Sequence, residues 1–183
     1  MPQEIFIPEI LPIVCYNASI LREVSTPAEN TQETQNLVAN MLHTMTSINS
    51  AVGLAANQVN STLSVFVMRP NRKNIVVINP IIRKRRGSVK STESCLSLPG
   101  ISETILRDEI IEVEYHDLNF NKQKMSLRGF EAIVFQHEFC HLQGILFIDF
   151  LTPKGKDKIA YRLAEMESGL IDVKYHVLPP ILK

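Results

Sequence analysis

The sequence predicts an α+β domain in which antiparallel strands pack around one buried helix, and three stretches carry that prediction. Residues Glu109 to Tyr115 set Ile111, Val113 and Tyr115 against Glu112 and Glu114, the period-2 alternation of a half-buried strand. Leu63 to Met68 and Ile75 to Ile78 are apolar and β-branched runs separated by Pro70-Asn71 and closed by Pro80, as two strands of a hairpin would be. From Phe130 to Leu142 the spacing is helical and few residues are polar, with Gly144 placed to end the helix; a helix apolar on most faces is a buried one.

Two amphipathic helices flank these elements. Between Asn30 and Ser47 the residues Leu37, Val38, Met41, Leu42 and Met45 recur at helical spacing, and Asn30 with Glu33 has the separation of a capping box. From roughly Lys154 to Ser168, Ile159, Leu163 and Met166 form an apolar stripe, and residues 171–183 read as a tail. No repeat or long linker interrupts the chain, so residues 1–183 are expected to form one domain.

Composition narrows the function classes. The chain has 183 residues, 45% of them hydrophobic, enough to build a core without cross-links. Nineteen basic and nineteen acidic residues give a formal net charge of zero, which predicts neither nucleic-acid binding nor attraction to an anionic membrane. The basic run Arg83-Lys84-Arg85-Arg86 before Gly87 reads as a solvated turn. Residues Met1 to Pro12 lack the flank and apolar run of a secretory signal, and no stretch approaches a membrane span. Cys15, Cys95 and Cys140 are odd in number and show no CxxC spacing, which fits a reducing compartment. A soluble cytoplasmic protein is expected.

The chemistry lies in His137-Glu138-Phe139-Cys140-His141, an HExxH motif. Positions four apart lie on one helical face, so two imidazoles can grip one metal while the intervening glutamate reaches a water molecule. Leaving these groups unpartnered on such an apolar helix would cost several kcal/mol, which a metal relieves. A catalytic ion needs a third protein ligand. Phe147 occupies the place that a third histidine takes in one peptidase class. Glu165 or Glu167 could serve as in another class, and Cys95 is a further candidate.

Three separated motifs resolve the choice by resemblance. Gly53-Leu54-Ala55-Ala56-Asn57-Gln58, Glu93-Ser94-Cys95-Leu96-Ser97 and Gln136-His137-Glu138-Phe139-Cys140-His141 resemble, in order and spacing, the GxGxAAxQ, EGCLS and QHExDH segments of the peptide deformylases. The resemblance extends from about Ile20 to Leu151. It implies that Cys95, His137 and His141 hold one divalent metal, ferrous iron (Fe2+) in the family, with zinc (Zn2+) or other divalent ions as alternatives. It implies a hydrolase that removes the formyl group from N-formylmethionyl peptides and nascent chains, with a possible contact to the ribosome. Glu138 would transfer the proton, and the Gln58 side chain and Leu96 N–H would stabilise the oxyanion. Gly53, Val52, Phe130, Ile133 and Val134 would contact substrate, with His137 beside them.

Three positions depart from the family pattern: Ala51, Ser94 and Cys140 stand where it has Gly, Gly and Asp. Ala51 and Ser94 are expected to narrow the cleft or strain a backbone needing positive φ. The loss of an acid at Cys140 leaves Glu93 as the expected partner of Arg107, bracing the Cys95 loop. Two other readings stay open: a peptidase using Glu165, or a degenerate fold that binds nascent chains or the ribosome through its tail, with Tyr175, Val177, Leu178 and Ile181 available for contacts.

Overall fold

A computed structural model describes residues 6–178. Strand β1 (Ile13–Val14) is followed by helix α1 (Gln32–Ser47), then β2 (Gly53–Ala55), β3 (Val65–Met68), β4 (Ile75–Arg86), β5 (Val89–Cys95), β6 (Leu98–Arg107), β7 (Ile110–His116) and β8 (Lys122–Arg128). Helices α2 (Gly129–Leu142) and α3 (Pro153–Glu167) come next, and β9 (Val177–Leu178) closes the described chain. The architecture is α+β with antiparallel sheets, as expected.

The main sheet has five antiparallel strands in the order β2-β3-β4-β7-β8. Strands β5 and β6 form a separate antiparallel hairpin, and β1 pairs in parallel with β9. Helix α2 packs on the main sheet through Ala132, Val134, Phe135 and Leu142, which meet Phe66, Val77, Ile111 and Val113. The Phe66 and Phe135 rings cross edge-on with centroids 5.0 Å apart, an arrangement that adds to the burial of two large side chains. Helix α1 covers a second cluster through Val38, Met41 and Met45, and α3 a third, where Ile159 and Met166 meet Leu98, Ile101 and Phe147.

Several boundaries differ from the sequence reading, each for a local reason. Helix α1 starts one turn-position later than a cap at Asn30 requires: Thr31 is the cap, and its hydroxyl accepts from the Thr34 N–H. The hairpin of β3 and β4 is present, but β4 does not stop at Pro80. A register shift between Ile78 and Ile81 absorbs the proline, as bulges do, and the strand runs on to Arg86. The basic run is therefore strand, not turn. Arg83, Lys84 and Arg86 lie across from β7 and pair with Glu112 and Glu114. Strands β5, β6 and β8 have no counterpart in the sequence reading.

The segment expected to be a tail folds back: Val177 and Leu178 pair with Ile13 and Val14. Tyr175 packs on the α1 cluster and Leu178 on the α3 cluster, so neither projects outward as a docking surface. Ile181 lies outside the described residues. No helix among the described residues is long and apolar enough to cross a membrane.

Candidate metal centre and active site

Three elements converge on one point. Helix α2 presents His137, Glu138 and His141, the β5–β6 hairpin brings Cys95 at the end of β5, and the 3-10 turn Ala56–Val59 after β2 brings Gln58. One ligand atom from each of Cys95, His137 and His141 lies within 4.8 Å of the others. Cys95 Sγ is 3.2 Å from His141 Nε2, and the two imidazole centroids are 5.2 Å apart. Glu165, the alternative third ligand, is on α3 with its carboxylate accepting from Arg162 at 2.8 Å. Cysteine, not glutamate, shares the site with the histidines.

The orientation of each ligand is imposed by its neighbours. His137 Nδ1 donates to Glu93 Oε2 at 2.8 Å, which leaves Nε2 as its inward-facing atom. Glu93 is in turn held by Arg107, whose Nε and Nη2 donate to Oε1 and Oε2 at 2.8 and 2.9 Å. The pair expected from the sequence is thus present. Arg107 Nη1 also donates to Cys140 Sγ at 3.3 Å, so the Cys140 thiol points to the arginine rather than to the ligand cluster. Gln136 anchors the helix by gripping the Asp108 backbone on both sides, accepting from its N–H at 3.0 Å and donating to its carbonyl at 2.8 Å. Asn57 donates to the His141 carbonyl at 2.7 Å. The helix end is fixed further by Gly144 at φ +69°, where a Cβ would come within 2.4 Å of the Arg22 carbonyl.

Burial tunes the titrating groups. It drives the His141 imidazole well below the usual range, so the ring is neutral and free to donate a lone pair. Burial also pushes Glu138 up to about 7. Desolvation alone would raise Glu93, but hydrogen bonds from Arg107 and His137 outweigh it and hold the carboxyl down to about 2. Glu138 Oε2 and His141 Nδ1 are buried without a hydrogen-bond partner among the described residues. Two imidazoles and a cysteine sulfur gathered within 4.8 Å, with a buried carboxyl group alongside, are a donor set that suits a divalent ion of zinc or ferrous-iron type, so the residues fit a metal.

The cluster opens on a cleft of about 1230 Å³ lined by Val52, Gly53, Phe130, Ile133 and Val134. Phe130 and Val52 are 53% and 37% exposed, so these apolar faces are offered to a ligand rather than spent on the core. Gly53 faces Glu138 so closely that a Cβ there would lie 2.3 Å from Oε1. Gln58 Oε1 accepts from the Ala55 N–H at 2.9 Å, and its Nε2 donates to Ser97 Oγ at 3.1 Å and Cys95 Sγ at 3.4 Å. Leu96 is at the turn between β5 and β6, beside Cys95. Neither Ala51 nor Ser94 has a positive φ, so the strain expected at these departures is absent. Ala51, although buried, and Ser94 both line the cleft. Asn57, Ser97 and Gln136 are not among the expected catalytic, substrate or metal residues, although each stands inside one of the three motifs; Tyr175, expected as a tail contact, lies instead against the site.

The polypeptide deformylase profile matches residues 10–157. This chain belongs to that family. A peptide deformylase of Chlorobium limicola is 37% identical over 180 residues, covering 94% of this chain and 97% of its own. One from Thermus thermophilus is 40% identical over 164 residues, covering 80% and 84%. Among solved structures, a peptide deformylase from Legionella pneumophila superposes with a TM-score of 0.81 at 30% identity, covering 87% of this chain and 96% of that one. A Plasmodium falciparum peptide deformylase in complex with an inhibitor gives a TM-score of 0.78 at 35% identity, covering 84% and 97%.

Proposed function

We propose that this protein is a metal-dependent hydrolase that removes the formyl group from the N-terminal formylmethionine of newly synthesised proteins and releases formate. The observation that carries the reading is the joining of Cys95 from a hairpin to His137 and His141 from one helical turn, with Glu138 beside them. Cys95, His137 and His141 are the ligands of one divalent ion, and α2 is the metal-binding helix at the centre of the fold. When bound, that ion acidifies a water molecule toward neutral pH and polarises the formyl carbonyl.

The chain's own residues supply the remaining chemistry. Glu138, a buried carboxylate with one oxygen unpartnered, accepts the proton of the attacking water and returns it to the departing amine. The Gln58 side-chain amide and the Leu96 N–H donate to the oxygen that becomes negative as the carbonyl carbon turns tetrahedral, a contribution of about 3 kcal/mol for each well-aimed donor. Val52, Phe130, Ile133 and Val134 hold the methionine side chain, and Gly53 lets an extended peptide approach the edge of β2.

Residues 1–183 work as one catalytic domain. Ferrous iron is the working metal, by family resemblance, and zinc is a competent structural substitute. The site of action is the cytoplasm, on nascent chains near the ribosome.

Anaerobic purification with metal analysis, followed by formate release from formyl-Met-Ala-Ser, tests the reading. One divalent ion per chain and stoichiometric formate are expected, and Cys95→Ala should lose the ion while Glu165→Ala keeps it. Bound metal without formate release would overturn the enzymatic assignment.

A further inference from the structure

The turn that carries Leu96 has an unusual construction. Strand β5 ends at Cys95 and β6 begins at Leu98, with Cys95 and Leu98 in register, so Leu96-Ser97 is a two-residue hairpin loop. Such loops match the twist of their strands when the first residue, or both, has a positive φ. Neither Leu96 nor Ser97 does. Next to the loop the register shifts between Ser94 and Cys95, which leaves Pro99, Gly100 and Ile101 of β6 without partners, and the positive φ of 77° falls at Gly100. The peptide groups of this loop are bonded by residues outside the hairpin.

Gln58 holds the Ser97 and Cys95 side chains, and the backbone of the turn is held by the segments next to β1 and β9. The Tyr175 hydroxyl donates to the Leu96 carbonyl at 2.7 Å, and the Tyr16 N–H donates to the Ser97 carbonyl at 2.8 Å. Tyr16 stands two residues after β1 and Tyr175 two residues before β9. These strands pair with each other at Ile13–Val177 and Val14–Leu178, and the Ile13 N–H donates to the His176 carbonyl at 2.8 Å. The short parallel ladder therefore presents both donors to one turn. The same segment, Asp172 to His176, lines the cleft that holds Cys95 and Glu138.

We propose that Tyr175 is a positioning residue of the hydrolytic site: with the β1–β9 ladder it clamps the Leu96-Ser97 turn and so aims the Leu96 N–H and the Cys95 sulfur. This rests on the function proposed above, in which both groups take part. Tyr175 does not touch the reacting atoms; it holds the carbonyl of the Leu96–Ser97 peptide, which adjoins the Cys95–Leu96 peptide that carries the Leu96 N–H. Losing the hydroxyl while keeping the ring should leave the packing intact but let the turn relax toward another peptide orientation.

The test is Tyr175→Phe in the full chain, with Tyr161→Phe on the 78% exposed face of α3 as the control. Removing one neutral hydrogen bond predicts a fall in kcat for formate release of about three- to tenfold, with KM within about twofold of the parent. In protein loaded with cobalt(II), the thiolate-to-metal absorption band should shift, because it reports the geometry of Cys95 directly. The control should change none of these. An unaltered kcat and an unaltered cobalt band, even with a lower Tm, would overturn the clamp and leave Tyr175 a packing residue. If the parent protein released no formate, the enzymatic reading would fail while the cobalt band still decided the clamp.

Discussion

Arg107 and Glu93 form a bidentate ion pair with both side chains only 4% exposed, and Glu93 uses the same carboxylate to orient His137. The guanidinium also lies over the Phe150 ring, 4.9 Å from its centroid. An arginine thus reaches the candidate metal site through one carboxylate and one imidazole. The Cys140 thiol accepts a weaker bond from the same arginine, so Glu93 is the one carboxylate paired with Arg107 among the described residues.

Arg107→Ala would leave the Glu93 carboxylate buried without its cation. Removing one partner of a buried pair costs about 3–5 kcal/mol, and disturbing the residue behind a ligand typically costs about 10- to 100-fold in metal affinity. Denaturant titration and competition with a chromophoric chelator should show both losses. Unaltered stability and metal affinity would sink the bracing role.

Acid stability should depend on Glu93. Its folded-state carboxyl is held at about 2, below the ordinary 4.5, so its contribution is fully present above pH 4.5 and is lost as the pH falls toward 2. In metal-free protein, Glu93→Gln should therefore lose stability at neutral pH and show a flatter decline over that acid window. A variant with the parent's slope between those limits would contradict the linkage.

Glu138→Gln should keep the metal but lower formate release by about 10²- to 10⁴-fold, the usual worth of a general base. Only the ionised carboxyl can take a proton. Burial pushes that group up to about 7, and a nearby cation can only lower it, so kcat/KM should fall on the acid side with a limb at or below pH 7. A variant whose activity matched the parent at every pH would remove Glu138 from the mechanism.

Gly53→Ala isolates the close approach between β2 and α2. The new Cβ would lie 2.3 Å from Glu138 Oε1, so the carboxylate must swing away. A displacement of about 1 Å at a reacting group can cost about a hundredfold in rate. Metal content should be unchanged, since no ligand is touched, and formate assays beside metal analysis separate the two effects.

The local parts of this site were readable because they are local. His137, Glu138 and His141 sit on one helical turn, where a four-residue spacing puts two rings on one face, and α2 is apolar enough to announce its own burial. Strand β7 was legible for the same kind of reason, since its buried residues alternate without a break. Strands β5 and β8 were not. Lys90, Thr92 and Ser94, then Lys122, Lys124 and Ser126, put polar side chains through both, and what makes them strands is the partner across the ladder. The Arg83–Arg86 run was misread because four adjacent cations suggest a loop until Glu112 and Glu114 arrive opposite them.

The sequence by itself determined the chemistry on offer: two imidazoles and a carboxylate in helical register, a cysteine in a recognisable segment, and a glutamine beside a glycine. Spacing left open which of these meet; the family resemblance implies the grouping, and the tertiary structure brings it about. Cys95 joins the histidines because the end of β5 lies against α2 at His137 and His141, and Tyr175 reaches Leu96 because β9 returns to β1. Spacing along a chain encodes contacts within one helix or strand, whereas a contact between distant segments depends on how their buried faces pack, and no local pattern records it.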